Sequence, residues 1–331
     1  MRANIKDVSQ AAGVSIKTVS RVINNERYVR PATRAKVEEA MTALGFQPSQ
    51  AARALAGGRS FQIALVCSNP GPYYLHGLIA GLRGRCAAEG VRLIVHAYET
   101  DTDELGADVL TFFRQMGFDG AILTPPIADH EPVLDELESA GTPYVRISPG
   151  VQLERGASVS IDNEGAARAM TRKLIDLGHR RIGFVVGHKG FAVSRQRLDG
   201  HLDALRECGI ISDGALIRQG WFDFRSGQAA AEALLSLKDR PTAIFASSDD
   251  MAAGVLSVGH QYGLRVPRQL SIAGFDDTDL ASLVWPALTT VNQPIRKMAE
   301  KAAALLFSGA EERVVLPADL IERASTGPRP A

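Results

Sequence analysis

Two sets of residues in this 331-residue chain have types and spacings that could do chemistry, and both favour binding over bond-breaking. The first is compact. Ser15, Ile16, Lys17, Thr18, Ser20, Arg21 and Asn24 lie within ten positions and offer hydroxyl, amide, basic and small apolar contacts of the kind that touch base edges and phosphates. The second is dispersed over residues that follow short apolar runs. It comprises Ser68 through Tyr74, Thr124, Arg146 with Ser148, Arg197, Phe222 beside Trp221, Asp249, and Asp276 in Gly274-Phe275-Asp276-Asp277. Several have plainer readings. Tyr73 and Tyr74 serve equally as lid or core, Asp249, Asp250, Asp277 and Asp279 can be turn or cap residues, and Arg197 can be a surface ion-pair partner. His179, just past Gly178, reads as a loop contact. Ser247-Ser248-Asp249-Asp250 and Asp276-Asp277 could serve phosphoryl transfer. However, the chain has no P-loop, no GxSxG and no metal-spaced His/Cys cluster. No catalytic residue, metal or cofactor is expected.

The compact set sits in a helical head. Asn4 can cap a helix from Ile5 to Ala12, with Asp7 near its positive end. Ile5, Val8 and Ala12 form one apolar stripe. Gly13 stops that helix and Ser15 can cap the next, Ile16 to Asn24, on which Val19, Val22 and Ile23 point inward. Ile16, Lys17, Ser20 and Arg21 are left outward. A third helix after Pro31 packs back Val37, Ala40, Met41 and Leu44 and closes at Gly45. Helix, tight turn, helix is the pattern whose second helix enters a major groove.

The dispersed set needs a different scaffold. From Phe61 onward, apolar runs alternate with amphipathic stretches: Ile63–Val66, a helix through Leu75, Leu78, Ile79 and Leu82, then strands at 92–95, 118–123 and 143–147. The scheme restarts at 181–186, passes through a helix at 196–207 and reaches strands at 243–246 and 271–275. This order predicts parallel sheets covered on both faces. Two such units, near 62–160 and 161–291, predict two lobes with a cleft, and ligands of open parallel sheets collect at strand C-termini.

Charge separates the two regions. Residues 1–60 carry ten Lys/Arg and four acids, a net +6, while the rest carries 27 basic and 33 acidic residues, a net −6. A basic head on an acidic body concentrates phosphate attraction at one end. Cys67, Cys86 and Cys208 are far apart and form no CxxC pair, so buried free thiols are expected. No run approaches a membrane span, and the N-terminus does not read as a signal peptide. The expectation is a soluble, cytoplasmic protein; a sugar-transport receptor built on the same body would need export.

The tract from Asp7 to Asn24 (DVSQAAGVSIKTVSRVIN) closely resembles the start of the lactose repressor and purine repressor (LacI/GalR) family. So do Thr33-Arg34, Val37 and the stretch from Leu44 to Leu55. The resemblance implies a helix-turn-helix domain at 1–47, a hinge helix and linker at 48–60, and a bilobed effector-binding and dimerisation domain at 61–331. Lobe 1 would span about 61–160 plus 292–320, and lobe 2 about 161–291 plus the C-terminal end. The body resembles periplasmic sugar-binding proteins. Residues 49–56 favour helix but are too few to be stable alone in water. The resemblance implies that Leu55 wedges between base steps in the minor groove at a dimer axis, with Arg53 assisting; an ordinary linker helix is the alternative. It also implies that Arg197 and Asp276 grip ligand hydroxyls or a charged group, that Phe222 stacks, and that Gln293 sits where the chain recrosses. An Arg/Asp pair with an aromatic wall suits a sugar. Many sugar-responsive members carry an acid near the end of the fourth strand, where this chain has Arg146-Ile147-Ser148. A second arginine there would tolerate a sugar acid. The implied partners are a palindromic DNA operator, a sugar or sugar acid, and a second copy of the chain. No heptad follows Pro317, so a homodimeric repressor is expected.

Overall fold

The computed structural model describes residues 3–23, 26, 28–46, 59–68, 71–98 and 105–330. The chain divides into two compact units, Met1–Phe61 and Gln62–Ala331.

The first unit holds helices α1 (Ile5–Ala12), α2 (Ile16–Ile23) and α3 (Pro31–Ala43). Asn4 opens α1 with a reciprocal cap: its Oδ1 accepts from the Lys6 and Asp7 amides, and its own amide donates to Asp7 Oδ2 at 2.8 Å. Gly13 ends the helix at φ 64°, a conformation that disfavours any side chain. The Ser9 hydroxyl donates to the Val14 carbonyl at 2.6 Å and fixes the turn. Val8, Val19, Val22, Val37 and Ala40 form the core of this unit. Leu44, expected in that core, is instead 40% exposed. The helix ends at Ala43, and Phe46, whose amide returns to the Met41 carbonyl at 2.8 Å, packs against the core in its place.

The second unit contains two wholly parallel sheets. The first has strands β1 (Gln62–Ser68), β2 (Arg92–Tyr98), β3 (Gly120–Leu123), β4 (Tyr144–Ile147), β5 (Ala157–Ile161) and β11 (Arg313–Leu316), in the order β11-β5-β4-β3-β1-β2. The second has β6 (Ile182–Val186), β7 (Ile217–Gln219), β8 (Ala243–Ala246) and β9 (Ser271–Ala273), in the order β7-β6-β8-β9. Connecting helices are α4 (Pro72–Ala88), α5 (Leu105–Met116), α6 (Glu131–Ser139), α7 (Asn163–Asp176), α8 (Ala192–Glu207), α9 (Phe224–Leu235), α10 (Asp249–Gln261), α11 (Asp279–Leu283) and α12 (Ile295–Ser308). β10 (Thr290–Asn292) pairs antiparallel with β12 (Asp319–Ile321).

Strand β1 shows why the apolar runs are continuous. Ile63, Leu65 and Cys67 enter one core cluster, while Ala64 and Val66 enter another on the opposite face. Alternate side chains thus feed two helix layers, as a doubly covered sheet requires. The larger cluster continues through Met170, Val291 and Ile295 to Phe184 and Phe245 of the second sheet. The chain passes between the sheets three times: after β5, after β10 and after β11. The apolar periodicity does not predict strands β5, β7, β10, β11 and β12. Among the described residues, no helix is long and apolar enough to cross a membrane. Cys67 and Cys86 are buried free thiols, whereas Cys208 is only half-buried.

Candidate functional site

In the head, Ser15 caps α2, accepting from the Thr18 amide at 3.1 Å and meeting the Thr18 hydroxyl at 2.9 Å. With Val19 and Val22 turned inward, Ser15, Ile16, Lys17 and Arg21 are exposed, and Thr18 and Ser20 are half-exposed. Ile16 is an apolar residue left 43% exposed on an otherwise polar face. Arg21 reaches Glu26 at 3.4 Å, a surface pair worth little in water, so its guanidinium remains available to phosphate. Asn24, Arg53 and Leu55 lie outside the described residues.

In the second unit, a cavity of about 740 Å³, counted out to its open mouth, lies where the two sheets present their strand ends. The first sheet contributes Ser68, Thr124 and Ser148 from the ends of three neighbouring strands, and α4 adds Tyr74. Arg197, Phe222 and Asp276 line the opposite wall, and Gln293 comes from the crossing segment.

Arg197 organises that wall. It projects from the second turn of α8 and is almost fully buried. Its Nε donates to Asn163 Oδ1 at 2.9 Å, Nη1 to the Ser247 carbonyl at 2.6 Å and to Asp276 Oδ1 at 3.4 Å, and Nη2 to Gln293 Oε1 at 2.8 Å. The guanidinium carbon sits over the Phe275 ring, 3.6 Å from its centroid. Burial pushes its pKa down; the charge of Asp276 is the foremost opposing influence. A guanidinium has five N–H donors, so among the described residues these four bonds leave one donor of this cavity-lining side chain unaccounted for.

Asp276 has the unusual φ of 107°, fixed by its amide on the Val291 carbonyl at 2.9 Å and by the Gln293 amide on its own carbonyl. Such backbone conformations cost on the order of 1–3 kcal/mol and persist where the surroundings dictate them. Burial raises its carboxyl to about 7, with Arg197 opposing the rise and Asp250 adding to it. Burial chiefly raises the Tyr74 hydroxyl pKa, and the neighbouring Asp276 carboxyl adds to the rise.

Six of the nine expected cleft residues therefore meet at one cavity: Tyr74, Thr124, Arg197, Phe222, Asp276 and Gln293. Three do not. Tyr73 neighbours Tyr74 on α4, but successive helical side chains diverge by about 100°, so only one faces the cavity. Arg146 is completely buried and spends every donor on its own lobe. It bonds the carbonyls of Ala128, Val151, Gln152 and Arg155, and Asp129 at 2.8 Å. It holds the loop after β4 and is not among the residues that line the cavity. Asp249 turns inward from the first turn of α10 to accept from the Thr278 amide and hydroxyl and from the Thr290 hydroxyl at 2.6 Å. It ties the loop after β9 to the first residue of β10. His179 is likewise structural, bonding Thr242, Ser271 and the Gly327 carbonyl.

Other lining residues were passed over. His188 and Phe191 follow β6, so the strand-end rule that found Thr124 would have found them. Asp250 reads from sequence as a turn or cap residue, and Ser148 stands among the strand-end candidates beside Arg146 with no role of its own. The Ser148 hydroxyl is the more informative: it is buried, its residue has φ 49°, and it has no hydrogen-bond partner among the described residues. Buried hydroxyls are nearly always partnered, so this one is a candidate ligand contact. Ser248, in contrast, caps α10 through the Met251 amide.

Comparison with known proteins agrees with both halves. Residues 4–49 match the model for bacterial regulatory proteins of the lacI family, and residues 171–326 match a periplasmic binding protein-like domain. The HTH-type transcriptional regulator DegA of Bacillus subtilis is 34% identical, with 99% of both chains covered. Among solved structures, the Lac repressor dimer bound to operator and the anti-inducer ONPF has a TM-score of 0.85 at 28% identity, covering 99% of this chain and 100% of that one. The complex of the transcriptional regulator CelR with cellobiose has a TM-score of 0.73 at 33% identity, covering 98% and 100%.

Proposed function

The chain belongs to the LacI family of bacterial transcription regulators, and from that premise we propose that it is a cytoplasmic, homodimeric repressor whose operator affinity is set by an uncharged sugar bound in the cleft. The observation that carries the effector reading is the buried Arg197–Asp276–Gln293 cluster beside the Phe222 ring. Fixed donors and acceptors orient hydroxyls while the ring covers apolar C–H faces. A sugar acid loses its support because Arg146 is spent elsewhere. The cavity then offers one guanidinium against the carboxyls of Asp250 and Asp276. The cellobiose complex of CelR is consistent with a neutral saccharide.

On the DNA side, two heads on a two-fold axis would read a palindrome of roughly 16–20 base pairs through α2. Residues 49–56 would form the hinge, with Leu55 as the minor-groove wedge. Effector binding would couple to the operator through the lobe arrangement, with a coupling of roughly 1–3 kcal/mol per event. The test is selection of duplexes from a random library by the full-length protein, followed by addition of neutral sugars, sugar acids and purines to the selected complex. A palindrome whose binding responds to a neutral sugar is expected, with Arg197→Ala binding the operator but no longer responding. Enrichment of no palindrome, or a response confined to acids or purines, would refute the reading.

A further inference from the structure

The cleft has a second aromatic platform that the Arg197–Asp276 cluster does not use. Trp221 and Phe222 are consecutive, and consecutive residues of an extended chain point to opposite sides. Here both line the cavity, because Phe222 takes φ 65° and bends the chain between them. The bend is anchored by the Trp221 amide on Ser226 Oγ at 2.9 Å, while Asp223 caps α9 immediately after it. The indole is braced edge-on by His188 at 5.0 Å and lies under Lys189 Nζ at 5.7 Å. Phe222 stands next to Phe191, and its ring fills the space where a Cβ on Gly187 would lie.

The wall is graded from depth to mouth. Arg197 and Asp276 are buried, Phe222 lies 5.9 Å above the guanidinium and is half-buried, and Trp221 is 39% exposed. A large aromatic surface left partly in water inside a cavity is an unpaid hydrophobic face that a ligand would cover. Of the two aromatic side chains, Phe222 is the one that stands over the Arg197 guanidinium, while Trp221 is the more exposed of the pair on the same cavity wall. We propose that Trp221 is the platform for a second sugar ring, so that the effector is a disaccharide, the ring nearest the mouth stacking on the indole. This rests on the neutral-sugar reading above.

The chain has two tryptophans, and Trp285 lies on the surface away from the cavity, so Trp285→Phe makes Trp221 the sole tryptophan. The full-length Trp285→Phe protein would be titrated with glucose, galactose and xylose and with cellobiose, lactose and xylobiose, reading indole emission and calorimetry. One disaccharide should bind about tenfold or more tighter than its constituent rings and perturb the emission, the gain expected of one stacked aromatic contact. Trp221→Ala should reduce that disaccharide to monosaccharide affinity without weakening the monosaccharide, and Trp221→Phe should keep most of the advantage. Equal weakening of both ligands, or monosaccharides binding as tightly as disaccharides, overturns the second platform while leaving the sugar reading intact. If a correctly folded wild-type protein binds none of the six, the sugar reading fails and this proposal falls with it.

Discussion

Asp276 concentrates the chemistry of the cleft in one side chain. Burial lifts its carboxyl from 3.8 to about 7, so the folded protein holds a proton there that the unfolded chain releases. A carboxyl raised by folding contributes stability that is complete below its unfolded value and is lost as pH climbs through the folded one. The ligand-free protein should therefore lose stability from about pH 4 to 7 at this group. Ligand hydroxyls donate to the ionised form and favour it. Effector affinity should accordingly increase between pH 6 and 8, with proton release that calorimetry in buffers of different ionisation enthalpy can count. Arg197, Asp250 and His188 share the wall, and Asp250 is itself raised to about 6 by burial, so Asp276→Asn is the control that assigns the effect. A pH profile equally steep in that variant would exclude Asp276 as its source.

At the scale of elements, local signals decided what could be read in advance. The reciprocal cap of Asn4 and Asp7, the stop at Gly13 and the Ser15 cap each join residues no more than four positions apart, and α1 and α2 start where they indicate. Gly13 has open space around a would-be Cβ, so Gly13→Ala tests backbone conformation alone. It should destabilise the head by about 1–2 kcal/mol, the cost of a left-handed alanine. Faster hydrogen exchange in α1 and α2, with the second unit unaffected, is the expected readout, and unchanged exchange would show that the turn does not hold the head together. Elements without such signals were missed. β10 and β12 have three residues each and exist through each other, and Phe191 starts α8 with no side-chain cap, so the helix was placed four residues late.

For the whole molecule, the two halves of the second unit touch on either side of the cavity. A Cβ on Gly150 would lie 1.9 Å from the Ala192 Cβ, and one on Gly71 would lie 2.7 Å from Asp250 Oδ2. Gly150 belongs to the loop that Arg146 and Asp129 hold in place, its amide donating to Asp129 at 2.9 Å. The buried arginine thus sets the height of one rim. Gly150→Val should prop that rim open and weaken effector binding about tenfold or more, the cost of forgoing roughly 1.4 kcal/mol of closure contacts, while operator binding without effector survives. Small-angle scattering of the liganded protein should then show the wider form. Effector affinity equal to wild type would mean that the rims need not meet for binding.

The sequence by itself determined the head, the parallel α/β body and the strand ends at which a ligand would be met, because caps, periodicity and strand-end position are properties of a few adjacent residues. It could not rank the charged groups at those ends. Arg146, Arg197, Asp249 and Asp276 looked alike along the chain, yet two face the cavity and two are spent inside the walls. Arg146 is consumed by carbonyls of the loop it precedes, and Asp249 by Thr278 and Thr290, 29 and 41 residues on. Arg197 finds Gln293 across 96 residues. A donor's availability depends on whether those distant partners arrive, and only the tertiary structure brings them there.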